Sequence, residues 1–251
     1  MKKLLASFFA TVTLVMSLAI PSYAAEVLPP AEGSPPNLQL YRTFEAAPNS
    51  EIVLDSLQAY EENGKYHVRV GKSRPANGQQ ESYNIEVDFQ TGIYSVQNYT
   101  SHEATTEVEN DPITTKAIYN YTATVTAKTL DPVNILCNSS TLQWSWSENT
   151  STTGYPYTAN SRSLTWWDAQ PTSLGTYWYY SNHSWGGGSD SGQSASVQHV
   201  NYNFGGGIAG TTYAEHYISI TPRPNGMYHY YVDLETDGIA GNLLHLGIDA
   251  N

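Results

Sequence analysis

Alternation of apolar and polar residues is the dominant pattern in the second half of the chain. Between residues 119 and 128, tyrosine, alanine and valine alternate with asparagine, threonine and lysine. This period is typical of a strand with one buried face and one solvated face. Residues 141–147 repeat it, with Leu142, Trp144 and Trp146 on one face. Further strands are predicted at 161–167, 176–180, 195–204, 211–221, 227–234 and 243–248.

These strands are short, and glycine- or proline-containing turns such as 184–192 and 222–226 separate them. Many short strands with such turns favour a mainly β fold, an antiparallel β-sandwich or a barrel, over residues 113–251. No fixed-period repeat is visible in the sequence, which argues against a propeller or a solenoid.

Residues 50–100 show a mixed pattern. Residues 51–60, behind Ser50, fit a short helix with an N-terminal cap. Three alternating segments follow it, and Gln90-Thr91-Gly92 predicts a three-residue hairpin loop with glycine at a positive φ. We therefore expect a small α+β unit, a helix plus a hairpin, before the sandwich.

This unit resembles the small pro-region modules of secreted bacterial proteases in one feature, a strand that ends at Asp88 before the turn at Thr91-Gly92. The resemblance is confined to this unit and implies a removable pro-region. It carries over no catalytic residue, because any β-hairpin can show the same feature.

The N-terminus predicts export from the cytoplasm of a bacterium. Lys2 and Lys3 precede an uncharged run over residues 4–20, and small residues follow at Ala24-Ala25, which is the pattern of a cleaved signal peptide. The expected organisation is a signal peptide at 1–24, a Pro-rich linker at 25–49, the α+β unit at 50–100, an acidic connector at 101–112 and the sandwich domain at 113–251. We expect no membrane span after cleavage and an extracellular protein.

The net charge limits the possible partners, and the cysteine content excludes an internal disulfide. The formal net charge is −12, which makes nucleic acid and anionic membrane surfaces poor partners. Cys137 is the only cysteine, so no internal disulfide can form. It lies in an apolar segment, and we predict a buried, unreactive thiol.

Neither a metal site nor a cofactor site is predicted. If Thr221 pairs with Met227 across the 222–226 turn, His216 and His229 lie on opposite faces of the sheet and cannot form a two-histidine site. The segment 233–238 begins like a calcium loop but lacks the glutamate at position twelve. No phosphate-binding loop or hydrolase motif is present, and the catalytic residues remain unassigned.

Aromatic residues cluster between 144 and 185. Flat amphipathic rings beside amide or carboxylate groups suit a saccharide, which offers C–H faces and hydroxyl edges. The predicted ligand site consists of Trp166, Trp167, Asp168, Trp178 and Tyr180. The competing interpretation for each ring is packing in the core, since aromatic residues are enriched in strands of every kind.

The first functional hypothesis is a secreted, non-enzymatic β-sandwich protein that binds an extracellular or cell-wall ligand, with glycan as the proposed class. The second is an extracellular, glycosidase-like hydrolase with an N-terminal pro-region, in which two of Glu148, Asp168, Asp190 and Glu215 act as acid and base. The third is a self-assembling surface or matrix protein, for which exposed sheet edges are expected.

Overall fold

The computed structural model describes residues 42–102, 118–151, 156–170, 177–201, 210–238 and 240–251. The predicted signal peptide, most of the predicted linker and most of the acidic connector lie outside these residues. Within them, the regular structure consists of fourteen strands and one short 3₁₀ helix, Gly241–Leu243. In chain order the strands are β1 (Arg42–Thr43), β2 (Glu45–Ala46), β3 (Ser56–Glu62), β4 (Lys65–Pro75), β5 (Gln80–Asp88), β6 (Ile93–His102), β7 (Ile118–Leu130), β8 (Leu136–Asn149), β9 (Tyr157–Asp168), β10 (Tyr179–Ser189), β11 (Gly192–Asn201), β12 (Thr212–Arg223), β13 (Met227–Gly238) and β14 (His245–Ala250).

Two seven-stranded sheets pack face to face, so the predicted mainly β sandwich is confirmed. Sheet 1 has the order β1-β3-β4-β13-β12-β11-β10, and sheet 2 has the order β2-β6-β5-β14-β7-β8-β9. The described strand pairs are antiparallel except for β2 with β6. Strands β9 and β10 form the edges of their sheets on the same side of the molecule.

The core lies between the sheets and follows the period-two pattern. Along β8, Leu142, Trp144 and Trp146 are buried on the inner face, as the alternation predicts. Trp144 stacks on Trp146 with ring centroids 4.9 Å apart. Ile218 and Ile220 of β12 belong to the same apolar cluster. Burial of large aromatic and branched side chains from both sheets is the main force that holds the layers together.

The helix predicted at residues 51–60 is absent, and this prediction is wrong. Residues 56–62 form strand β3, which pairs with β4 over seven residue pairs. Leu57 and Ala59 of β3 are buried in the core. The apolar residues of this segment fit a helical stripe and a strand face almost equally well, and pairing with β4 decides between them.

The region 50–100 does not form a unit with sheets of its own. Strand β4 pairs with β13 over ten residue pairs, and β5 pairs with the C-terminal strand β14. The first half of the chain therefore supplies strands to both sheets, and the boundary near residue 113 does not separate two sheets. Long-range pairing of this kind cannot be read from local periodicity.

Of the three turns predicted from the sequence, one is confirmed and two differ from the structure in length or register. Gly92 has φ +76° in the loop between β5 and β6, as predicted. The predicted turn at 184–192 is too long, since β10 continues to Ser189. In the turn between β12 and β13, Arg223 pairs with Met227, two residues from the predicted register. This shift is even, so His216 and His229 still lie on opposite faces, as predicted.

Cys137 is buried, as predicted, and burial raises the pKa of its thiol to about 12. Among the residues that the structure describes, no helix is long and apolar enough to cross a membrane.

Candidate functional site

Exposed aromatic rings line the side of the sandwich where β9 and β10 meet. Trp166 of β9 stacks on Tyr180 of β10, with ring centroids 4.3 Å apart and an interplanar angle of 14°. His183 lies 5.2 Å from the Trp166 ring, and the guanidinium of Arg162 lies 4.2 Å from the centroid of Trp185. We call these five residues the aromatic edge. Trp166, Tyr180 and Trp185 keep 38%, 36% and 37% of their surface exposed.

The five residues proposed from the sequence do not all lie together. Trp166 and Tyr180 meet at the aromatic edge. Trp167 is 48% exposed, but it follows Trp166 on the same strand and faces the opposite side of sheet 2. Trp178 is buried in the core. Asp168 points inward and contacts a histidine.

Asp168 is the outer end of a chain of hydrogen bonds between the sheets, which we call the inter-sheet chain. Asp168 Oδ1 lies 2.7 Å from His199 Nδ1, and His199 Nε2 lies 2.9 Å from Ser140 Oγ. Ser140 Oγ lies 2.8 Å from His216 Nδ1, and His216 Nε2 lies 2.8 Å from Thr129 Oγ1. The five side chains come from β7, β8, β9, β11 and β12, so the chain connects both sheets.

The donors along the inter-sheet chain can be assigned from chemistry. When His199 is neutral, its Nδ1–H donates to the Asp168 carboxylate, and its Nε2 accepts from the Ser140 hydroxyl. Ser140 Oγ then accepts from His216 Nδ1–H, and His216 Nε2 accepts from the Thr129 hydroxyl. Each ring nitrogen and hydroxyl of the chain is then satisfied.

Asp168, His199 and Ser140 repeat the order of groups in a carboxylate, base and nucleophile triad. Ser140, His199 and His216 are fully buried, however, and Ser140 Oγ also contacts His216. Burial, with His199 as a secondary cause, lowers the pKa of His216 well below its usual value. A buried, fully bonded network of this kind fixes the packing of the two sheets.

The four carboxylates considered for catalysis do not form one cluster. Glu148 is buried and accepts hydrogen bonds from the backbone N–H groups of Asn225 and Gly226, both at 3.1 Å. Asp190 accepts from the backbone N–H of Ala159 at 2.8 Å. Asp168 belongs to the inter-sheet chain. Glu215 lies in a separate place, on the outer face of sheet 1.

The outer face of sheet 1 carries a polar cleft around Glu215. The register places Gln198 of β11 opposite Glu215 of β12, and Glu215 opposite Glu235 of β13. Paired residues share one face of a sheet, so the three side chains stand in a row. The cavity at this row has a volume of about 190 Å³ and is lined by Lys65, Gln198, Tyr213, Glu215, Glu235 and Asp237. We call it the carboxylate cleft.

The two glutamates of the carboxylate cleft have different surroundings. Lys65 Nζ lies 2.7 Å from Glu235 Oε1 and 3.8 Å from Asp237 Oδ2. Burial raises the pKa of Glu215, a hydrogen bond from Ser196 lowers it, and the charge of Glu235 raises it. Burial is the main cause of the raised pKa of Glu215, and the neighbouring Glu235 forms an ion pair with Lys65.

Sequence reasoning missed Ser140, Thr129 and Glu235 as members of these sites. The strand register brings Glu235 to Glu215, and the packing of the two sheets brings Ser140 and Thr129 to the histidines. The period-two pattern gave one usable signal, because Glu215 and Glu235 occupy polar positions on the same face of neighbouring strands. A correct register for β12 and β13 would have paired them.

Comparison with protein-family models, with curated proteins and with solved structures gives no match. Within the described residues, no group of three or more histidine, cysteine, aspartate or glutamate side chains is placed to hold a metal ion.

Proposed function

We propose that this protein is exported by a bacterium and binds an extracellular or cell-wall glycan through the aromatic edge. The observation that carries the proposal is the exposed pair of rings Trp166 and Tyr180, stacked 4.3 Å apart across two edge strands. Export is proposed from the N-terminal residues, where Lys2 and Lys3 precede an uncharged run and a small-residue cleavage site.

The rings of the aromatic edge are held in place before any ligand arrives. Trp166 is supported by Tyr180, and Trp185 is supported by Arg162. Rings that are already ordered lose little conformational entropy on binding. Their flat faces suit sugar C–H groups, while His183 and Arg162 offer polar atoms to sugar hydroxyls. A negatively charged polymer is a poorer ligand, because the net charge of the chain is −12.

The test is isothermal titration of the full chain with soluble polysaccharides, together with a pull-down on insoluble peptidoglycan. We expect Trp166→Ala and Trp185→Ala each to weaken binding about fivefold, since each removes a stacking surface worth about 1 kcal/mol. Trp167→Ala is the matched control, because its exposed ring faces the other side of sheet 2. Absence of binding to every glycan, or equal losses in all three variants, would contradict the proposal.

A further inference from the structure

We propose that the hydrogen bond between Asp168 and His199 positions the stacked rings of the aromatic edge. The role in ligand binding rests on the proposed function, whereas the geometry of the rings is a property of the free protein. Asp168 and His199 are then positioning residues: they act through the rings and need no contact with the glycan.

The two stacked rings come from different sheets. Trp166 lies on β9 and Tyr180 lies on β10, the edge strands of sheet 2 and sheet 1. Among the described residues, no backbone ladder joins these two strands. The stacking of Trp166 on Tyr180 therefore depends on the contacts that hold the two sheets together at this side of the molecule.

Two side chains of β9 form hydrogen bonds with β11 of sheet 1, one on each side of Trp166 along the strand. Nη1 of Arg162 donates to Oε1 of Gln193 at 2.9 Å. Oδ1 of Asp168 lies 2.7 Å from Nδ1 of His199. Residues 162, 166 and 168 share one face of β9, because residues separated by an even number of positions point to the same side of a strand. Trp166 is therefore held between two polar contacts with the same strand of sheet 1.

The register places the inter-sheet chain directly behind the ring stack. Trp166 pairs with Ser140 of β8, and Tyr180 pairs with His199 of β11. Paired residues share one face of a sheet, so the two pairs face one another across the gap between the sheets. His199 Nε2 lies 2.9 Å from Ser140 Oγ. One strand further out, the two rings stack with centroids 4.3 Å apart.

Asp168 fixes the orientation of His199 in this arrangement. His199 is fully buried, and its two ring nitrogens contact Ser140 on one side and Asp168 on the other. Without the carboxylate, the Nδ1–H group of His199 loses its acceptor, which is unfavourable for a buried donor. Water can reach this end of the chain, because Asp168 is partly exposed. We expect water to replace the carboxylate and the end of β9 to move away from sheet 1 together with Trp166.

Such a movement weakens binding through the loss of order in the rings. A tryptophan ring without its stacking partner must be ordered by the ligand, and this ordering reduces the affinity. The effect of Asp168 on affinity therefore requires that Trp166 is present.

The first test is the proton NMR spectrum of the full chain without ligand. A ring stacked on Trp166 has its proton signals shifted upfield, and Trp166→Ala identifies the Tyr180 signals by the loss of that shift. We expect Asp168→Ala to remove most of the upfield shift. Asp168→Asn, which keeps an oxygen acceptor for His199 Nδ1–H, retains it.

Thr129→Val is the matched control. It breaks the 2.8 Å contact with His216 at the opposite end of the inter-sheet chain. This variant lowers the free energy of unfolding and leaves the Tyr180 signals at their wild-type positions, so a loss of stability alone does not reproduce the result. Circular dichroism verifies that each variant is folded. If Asp168→Ala does not fold, Asp168→Ser replaces it, because the serine hydroxyl is too short to reach His199.

The second test is isothermal titration with the polysaccharide that the wild type binds best. We expect Asp168→Ala to weaken binding about fivefold, like Trp166→Ala, and the double variant to weaken it no further. Losses that multiply in the double variant overturn the inference. Wild-type Tyr180 signals in Asp168→Ala, or equal shifts in Asp168→Ala and Thr129→Val, also overturn it.

Failure of the proposed function gives a different result. A wild type that binds no polysaccharide contradicts glycan binding at the aromatic edge. The Tyr180 signals of the free protein then decide by themselves whether Asp168 positions the rings.

Discussion

The inter-sheet chain and the carboxylate cleft are both polar, yet they are built in opposite ways. In the inter-sheet chain, Ser140 and His216 are fully buried, and each ring nitrogen and hydroxyl of the chain has a hydrogen-bond partner. In the carboxylate cleft, the acidic residues Glu215 and Glu235 stand opposite one another and face a cavity. The inter-sheet chain is buried and hydrogen-bonded, and the carboxylate cleft is open and contains the ion pair of Lys65 with Glu235.

The difference indicates which polar residues stabilise the fold. A buried polar network is stable only when its members are bonded, since an unpaired buried group costs about 1–3 kcal/mol. Polar groups on an accessible face are hydrated and need no such network. We therefore assign the inter-sheet chain to the stability of the fold.

The largest effect is expected from Ser140→Ala. The substitution leaves His199 Nε2 and His216 Nδ1 without their partner inside the core, and the free energy of unfolding should fall by about 2–4 kcal/mol. Urea unfolding measures the change. Ser139→Ala is the control, because Ser139 faces the other side of β8 and its loss should cost less than about 0.5 kcal/mol. Equal stability of the two variants would contradict the role of the inter-sheet chain.

The next effect is a pH dependence that comes from His216. Burial lowers its pKa in the folded state below the usual 6.5, so between these two pKa values the unfolded chain binds a proton that the folded chain does not. Its contribution to stability is therefore complete above about pH 6.5 and is lost as the pH falls, by at most about 1.4 kcal/mol per pH unit.

The prediction is checked by urea unfolding of the wild type and of His216→Gln at about pH 6.5 and at lower pH values. Burial also lowers the pKa values of His67 and His229, and these act in the same direction. The difference between the two chains isolates His216, and the variant should show the smaller slope. Identical slopes would remove His216 as the source.

The smallest effect on stability is expected from Glu215→Gln. The amide removes a like charge opposite Glu235 and the cost of burying a carboxylate, so the free energy of unfolding should stay the same or rise by less than about 1 kcal/mol. Thermal unfolding near neutral pH measures it. A loss of more than about 2 kcal/mol would place Glu215 among the residues that stabilise the fold.

Features that depend on neighbouring residues can be predicted from this sequence, whereas features that depend on residues far apart in the chain cannot. Most strands after residue 118 follow from alternation, as Trp144 and Trp146 illustrate two positions apart on one face, but β10 was predicted too short. The segment 51–60 was misassigned, since its strand depends on pairing with β4. Two members of the aromatic edge, Trp166 and Tyr180, belong to the site predicted from the sequence. Their stacking could not be predicted, because it depends on the contact between β9 and β10.

The sequence by itself determined the period-two pattern, the inner and outer faces of most strands, the Gly92 turn and the opposite faces of His216 and His229. Tertiary structure alone decided which strands are neighbours. It placed Glu235 beside Glu215 and joined Ser140 to His199, although 59 residues separate Ser140 and His199 along the chain. The physical reason is that side-chain direction is a local property of a strand, whereas strand order and register are set by the burial and pairing of all fourteen described strands together.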